Sequence, residues 1–150
     1  MAIVRDRPYG HFNFLVDLGS GNAEGPEAGF SEIIMPGASI EIIEYRNGNE
    51  KENSVRKISG LTHYENVVLK RGVIGSLTLY QWLNQIRSGD QNGLRNVVIQ
   101  LQNEEHTAIV MTWKLLRARP AKYKFSKLEA GGKKVLVEML ELAYETLEME

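Results

Sequence analysis

Residues 58–89, ISGLTHYENVVLKRGVIGSLTLYQWLNQIRSG, decide how this chain is read. They hold the only helix whose ends and apolar face are both legible. Thr78 is placed as N-cap, with Gln81 three residues on to complete a capping box. Leu77 and Trp82 stand where a hydrophobic staple would form. Leu79, Trp82, Leu83 and Ile86 fall at i, i+3, i+4 and i+7, a stripe that must pack on a flat apolar surface. Arg87 suits the negative end of the helix, and Gly89 supplies a left-handed stop. Just before it, Val67-Val68-Leu69 is a β-branched run ending in Lys70-Arg71-Gly72, which predicts a strand.

Upstream, Phe12, Phe14, Val16 and Leu18 alternate with Asn13 and Asp17, a half-buried strand. Residues 19–29 form a glycine-rich loop in which Pro26 excludes regular structure. Residues 30–35 predict a second strand stopped by Pro36-Gly37, residues 40–46 a third, and Asn47-Gly48 is a strong turn signal. Residues 49–59 are polar and charged and predict a solvated loop. Its length exceeds the ~4–6 residues usual in compact domains, which points to a use.

Downstream of the helix, residues 94–101 and 107–116 read as a hairpin connected through 102–106. Val97, Ile99 and Leu101 face one side, and Ile109, Met111 and Trp113 alternate on the partner. Residues 117–125 continue extended, broken by Pro120. For residues 135–149 local propensity favours helix, with Leu136, Met139, Leu140, Ala143 and Leu147 as its stripe. A strand reading places Val135, Val137 and Met139 on one face and Leu136, Leu140, Leu142 and Tyr144 on the other, less cleanly. Many short strands with one helix predict a mainly β fold, a closed barrel or a sandwich with the helix against it.

At 150 residues the chain fits one domain, long enough to bury roughly 70% of its unfolded surface. A net charge of −1 gives no bias toward nucleic acid or acidic lipid. With no cysteine, disulfides, thiolate metal sites and cysteine nucleophiles are excluded. No segment reads as a signal peptide, and no apolar run approaches the ~20 residues of a membrane span. The expectation is a protein made in the cytoplasm without a membrane anchor.

The strongest enzyme-like signal is the run from Phe14 through Asp17 and Gly19-Ser20-Gly21-Asn22 to Gly25. It has the strand, acid and G-x-G of a nucleoside-cofactor methyltransferase, with Glu44 available as a ribose-binding acid. That mechanism requires a helix directly after the glycines. Pro26 and Gly29 interrupt that position, so a plain loop is the reading. His11, His63 and His106 are far apart and share no metal-ligand spacing. The acidic residues Glu138, Glu141, Glu145, Glu148 and Glu150 read as a polar face, and no serine sits in a nucleophile elbow. No catalytic, metal-binding or cofactor-binding residue is therefore expected. Residues 114–134 carry eight Lys or Arg against one Glu129. With Tyr123 and Phe125 among them this could serve nucleic acid. The plainer reading is a face that complements the acidic C-terminal segment or a neighbouring copy.

The order Gly60-Leu61-Thr62, Tyr64, Asn66, Leu69-Lys70-Arg71-Gly72, then a helix carrying Trp82, resembles the inner-tube proteins of contractile phage tails and related injection systems. Further segments agree: Phe12-Asn13-Phe14-Leu15-Val16, Gly29-Phe30-Ser31-Glu32, Ile43-Glu44-Tyr45-Arg46-Asn47-Gly48-Asn49, and Trp113 before Ala118-Arg119-Pro120-Ala121-Lys122-Tyr123. The run from Glu138 to Glu145 closes the match, which spans residues 12–148. The loop over 19–29 departs from the family's simplest form in being longer and richer in glycine.

The resemblance implies a β-barrel with one flanking helix, six copies to a ring, and rings stacked into a hollow tube. It implies a surrounding sheath, baseplate or spike and tube-terminator proteins as partners, with cargo or DNA in the lumen. It implies a long closing strand at residues 135–149, against propensity. The tube would be assembled within a phage tail or injection particle and be extracellular after release. The helix face Leu79, Trp82, Leu83 and Ile86 would pack on the outer or inter-subunit side. The loop Asn47, Gly48, Asn49, Glu50, Lys51, Glu52, Asn53 and Ser54 would reach an adjacent ring or subunit. A small-molecule-binding barrel, monomeric with a closed apolar cavity, is the alternative, and a methyltransferase-like enzyme a more distant one.

Overall fold

The computed structural model describes residues 1–21 and 23–150. In chain order it contains β1 (Phe14–Asp17), β2 (Phe30–Ile34), β3 (Ala38–Tyr45), β4 (Arg56–Tyr64), β5 (Val67–Gly72), α1 (Thr78–Arg87), β6 (Arg95–Gln102), β7 (Ile109–Phe125), β8 (Val137–Ala143) and β9 (Thr146–Met149). Short 3-10 turns lie at Pro26–Ala28 and Gln91–Gly93.

The fold turns on β7. Its first half pairs with β6 on one side and β9 on the other, and its second half pairs with β8. The change of partner falls at Arg117, whose φ is 54° and whose N–H donates to Asn96 Oδ1 at 3.1 Å. A second irregularity follows Pro120, a residue with no N–H to give a ladder. The bent strand thereby joins β1-β6-β7-β9 to β7-β8-β5-β2. The two halves enclose one core, with Val16, Val97, Ile99 and Leu115 facing Leu69, Leu140 and Leu142. The fold is mainly β, as the alternating pattern predicts. The barrel is not closed, because β1 and β2 end the sheet and do not pair with each other.

Helix α1 packs against β7. Leu79 and Trp82 are buried, and Trp82 Nε1 donates to Gly93 O at 2.6 Å. Leu83 and Ile86 are half-buried. The start differs from expectation: Leu77 is the N-cap residue, without a side-chain cap, and Thr78 is already helical. Leu77 is exposed, so it forms no staple over the buried Trp82. Ser76 Oγ accepts from the Thr78 N–H at 3.3 Å, and the two hydroxyls at this end are held by a residue far away in sequence. Glu27 accepts from Ser76 Oγ at 2.6 Å and Thr78 Oγ1 at 3.1 Å. Gly89 ends the helix with a φ of 86°, a conformation costing an L-residue ~1–2 kcal/mol.

Residues 135–149 are extended, not helical. Their propensity is overridden because β8 lies between β5 and β7, which satisfy its backbone on both sides. Leu140 and Leu142 bury on the inner face, together with Glu138. Two strands replace the single long one expected, since β8 stops at Ala143 and β9 moves to the edge of β7.

Candidate assembly interface

The expected loop over 49–59 is partly strand. β4 begins at Arg56 and pairs with β3 along its whole length, as a separate two-stranded sheet. Gly60 marks the bulge where the register shifts. A Cβ there would stand 3.2 Å from both Glu41 O and Ile43 Cδ1. Where the two strands leave the sandwich, Glu65 N–H donates to Gly37 O at 2.8 Å. The β3–β4 ribbon is thus the outer half of a long hairpin whose inner half is β2–β5. At ~3.3 Å per residue its eight-residue strand β3 spans about 25 Å.

Among the described residues no other element covers this arm. Every residue of β3 is exposed, and all of β4 except Gly60 and Tyr64. Yet apolar side chains stand on both of its faces. Ile40 and Ile42 point one way, while Ile43, paired with Ile58, points the other, and each is about half exposed. A lone two-stranded ribbon is marginally stable in water, so an uncovered apolar arm is a surface awaiting a partner.

At its tip sit Asn47, Gly48, Asn49, Glu50, Lys51, Glu52, Asn53 and Ser54, in a loop organised by polar contacts. Arg46 donates from Nε to Glu52 O at 2.9 Å and from Nη2 to Glu50 O at 2.8 Å. Glu50 also pairs with Arg56 at 3.2 Å, and Tyr45 OH bonds to Asn47. The tip has a defined shape while Lys51, Glu52, Asn53 and Ser54 remain exposed.

On the sandwich itself, the gap between the free edges of β1 and β2 forms an apolar groove of ≈ 600 Å³. Phe12, Phe14, Ile33, Met35 and Trp113 line it. It is open to solvent, unlike the closed cavity of a ligand-binding barrel. The arm and the groove show in the surface total. A compact monomer of 17.0 kDa is expected to expose about 7,700 Å², whereas this chain exposes 10319 Å². The surplus is on the scale of an obligate interface, roughly 2,000–5,000 Å².

The other candidates resolve differently. Asp17 Oδ1 accepts from the N–H groups of Gly19 and Gly21 at 2.9 and 3.1 Å. That carboxylate shapes the glycine loop, and among the described residues no α-helix follows it before β2; Asn22 lies outside them. Glu44 sits on the exposed arm. His11 lines the groove, His63 lies 3.8 Å from Glu41 on the arm, and His106 contacts Gln102 at the β6–β7 turn. Among the described residues no three His, Asp or Glu converge as a metal site, and no helix is long and apolar enough to cross a membrane. The basic stretch is drawn toward the acidic C-terminus. Lys114 pairs with Glu150 at 2.7 Å, and Arg117 and Arg119 with Glu145 at 2.5 and 3.1 Å.

One feature has no signal in the sequence beyond the Lys70-Arg71-Gly72 match. Arg71 and Glu138 are 1% and 2% exposed. Arg71 Nε donates to Glu138 Oε1 at 2.7 Å, and Nη2 lies 2.6 Å from the same oxygen without hydrogen-bond geometry. Tyr123 OH donates to Glu138 Oε2 at 2.5 Å, and Arg71 Nη1 to Glu27 O at 2.7 Å. Burial, with that hydrogen bond, pushes the Tyr123 phenol well up, so it stays a donor. The network ties β5, β7 and β8 to the glycine-rich loop.

The model of the T4-like virus tail tube protein gp19 family matches residues 10–148. This chain belongs to that family. The tail tube assignment extends to solved structures. A chain in the six-fold symmetrised baseplate of the anti-feeding prophage is 28% identical, with TM-score 0.79 over 97% of both chains. A chain in the sheath-tube complex of the extracellular contractile injection system PVC, in its extended state, is 25% identical. Its TM-score is 0.82, over 97% of this chain and 93% of that one. Hcp1 from Flavobacterium johnsoniae, 12% identical with TM-score 0.54 over 92% and 94%, shares the fold. No protein of curated function matches by sequence at a significant level.

Proposed function

We propose that this chain is the repeating unit of the hollow inner tube of a contractile injection system or phage tail. Residues 1–150 act as one tube-forming unit. Six copies close a ring, and rings stack inside a contracting sheath that drives the tube through a target envelope. The observation that carries this reading is the uncovered arm, with apolar side chains on both faces, on a chain of the tail tube family. An arm on one surface with its receiving surface elsewhere gives a heterologous contact, which either closes a ring or propagates a filament. Both outcomes are needed for a tube, and neither requires chemistry, so the protein is read as structural rather than enzymatic.

The relatives' assemblies support a set of partners, namely further copies of itself, a sheath around it, a baseplate at one end and a terminator at the other; cargo or DNA is the proposed content of the lumen. Synthesis is cytoplasmic, and the finished particle can be extracellular. The tip residues 47–54 make the ring-to-ring or inter-subunit contact, and the α1 face at Leu79, Trp82, Leu83 and Ile86 fixes the helix on the flank. Deleting residues 49–54 tests the first of these. The variant should keep its circular dichroism spectrum and melting temperature yet give no tubes by light scattering and microscopy. Normal tubes from that variant would remove the tip from the contact.

A further inference from the structure

We propose that Asn47 is a self-modifying residue: its side-chain amide cyclises onto the Gly48 nitrogen and opens to aspartate or isoaspartate, which withdraws the subunit from assembly. The second half rests on the tube reading, in which the tip makes a contact between copies. Asparagine is a chemically labile residue, and a glycine after it leaves the attacking nitrogen unshielded by a side chain. Two Asn-Gly pairs occur in the chain, Asn47-Gly48 and Asn92-Gly93. They differ in what the reaction requires, which is a free backbone nitrogen, room to move it and a polarised amide carbonyl.

At the tip all three are present. Asn47 O accepts from the Glu50 N–H at 3.1 Å, so Gly48 is the first central residue of a turn. Its own N–H meets no acceptor among the described residues. Gly48 is exposed, and a Cβ built on it would meet nothing within 4 Å. The Asn47 side chain is held through both polar atoms: Oδ1 accepts from Tyr45 OH, and Nδ2 donates to Glu50 Oε1 at 3.2 Å. The phenol is placed to stabilise the negative charge that builds on Oδ1 as Gly48 N attacks Cγ. With both reacting groups on one turn, the step is intramolecular. The Gly48 N–Cγ bond forms and the Cγ–Nδ2 bond breaks, and the Gly48 proton leaves with the amide nitrogen as ammonia. Water then opens the ring at either carbonyl, giving aspartate or, with the main chain rerouted through Cβ, isoaspartate.

The second pair is locked. Gly93 is buried, its N–H donates to Asp90 O at 3.1 Å, and its carbonyl accepts from Trp82 Nε1 at 2.6 Å. Presenting that nitrogen to Asn92 breaks these bonds, roughly a tenfold handicap or more. At the tip, conversion replaces the donor to Glu50 by a carboxylate, so an attraction becomes a repulsion. Isoaspartate also lengthens the main chain where it shapes residues 47–54. Copies left unassembled therefore age out of use.

The test holds the purified chain dilute in warm, mildly alkaline buffer and samples it over time. Peptide mass spectrometry, with enzymatic methylation of isoaspartate, follows both sites, and light scattering follows assembly of each sample after concentration. Gly48→Ala is aged alongside, since its methyl has room and hinders the attack. Asn47 should convert about tenfold or more faster than Asn92, and Gly48→Ala should resist. Assembly should fall in step with the intact Asn47 fraction in wild type and hold in Gly48→Ala. Conversion at Asn47 no faster than at Asn92 would overturn the proposal and leave the tube reading standing. Full assembly by converted protein would overturn the second half and take the tip out of the contact. A fresh chain that never assembles would overturn the tube reading and the second half with it, while the mass spectra still decide the modification.

Discussion

Single residues hold the sandwich at two places that its local sequence does not announce. The Arg71–Glu138 pair joins positions 67 apart in sequence, inside the core. Lys70-Arg71-Gly72 looks like an ordinary strand end, and Glu138 like a member of an acidic face; only the pairing of β5 with β8 brings them together. Removing one partner strands a buried charge, which costs ~3–5 kcal/mol. Arg71→Met should lose about that much in urea unfolding, and Arg71→Met with Glu138→Leu should recover most of it. A loss below about 1 kcal/mol for Arg71→Met would mean that the pair is not buried in solution. At the surface, Arg5 donates to Glu104 through both terminal nitrogens, at 2.9 and 2.5 Å. Chiefly through these hydrogen bonds, the Glu104 carboxyl is held down to about 2 from its usual 4.5. A depressed acid stabilises the fold above its unfolded value and loses that contribution as pH falls through the folded one. The melting temperature of wild type should therefore exceed that of Glu104→Gln above pH ~4.5, with the gap shrinking toward pH ~2. A gap independent of pH would contradict the clamp.

Elements were legible where an amphipathic contrast exists and obscure where it does not. β1 and β6 were legible because one face meets the core, whereas β2 carries a register shift and the buried positions of β7 change parity between Thr112 and Leu115. The C-terminal segment shows the limit of propensity, since Leu, Glu, Met and Ala favour helix but β8 is claimed from both sides by neighbouring strands. β4 escaped notice because it has no buried face and Gly60 breaks its period, so a strand read as the end of a loop. The helix start was misplaced for another reason: the Thr78 hydroxyl, expected to cap, is instead held by Glu27 from outside the local sequence, and no capping box records that. Gly89→Ala should cost ~1 kcal/mol at the left-handed stop, read as a lower denaturation midpoint with unchanged slope. The arm should behave oppositely. Ile42→Ser removes no core contact and should leave monomer stability within ~0.5 kcal/mol while abolishing assembly. A large loss of stability instead would place Ile42 in the monomer's own core.

At the scale of the whole molecule, the family was legible from scattered short segments, and the mainly β class from alternation. The open seam and the projecting arm were not legible, because both are relations between distant strands. They also explain why the barrel expected from the sequence is unclosed in one chain. A molecule with this much surplus surface is a fragment of something larger, and its curvature and edges are completed by copies of itself. Negative-stain electron microscopy of the purified protein, with its mass followed by light scattering, tests this most directly. The account predicts six-fold rings or stacked hollow tubes, with mass rising in steps of six chains. A particle that stays a compact monomer of 17.0 kDa at every concentration, and never forms rings, would contradict it.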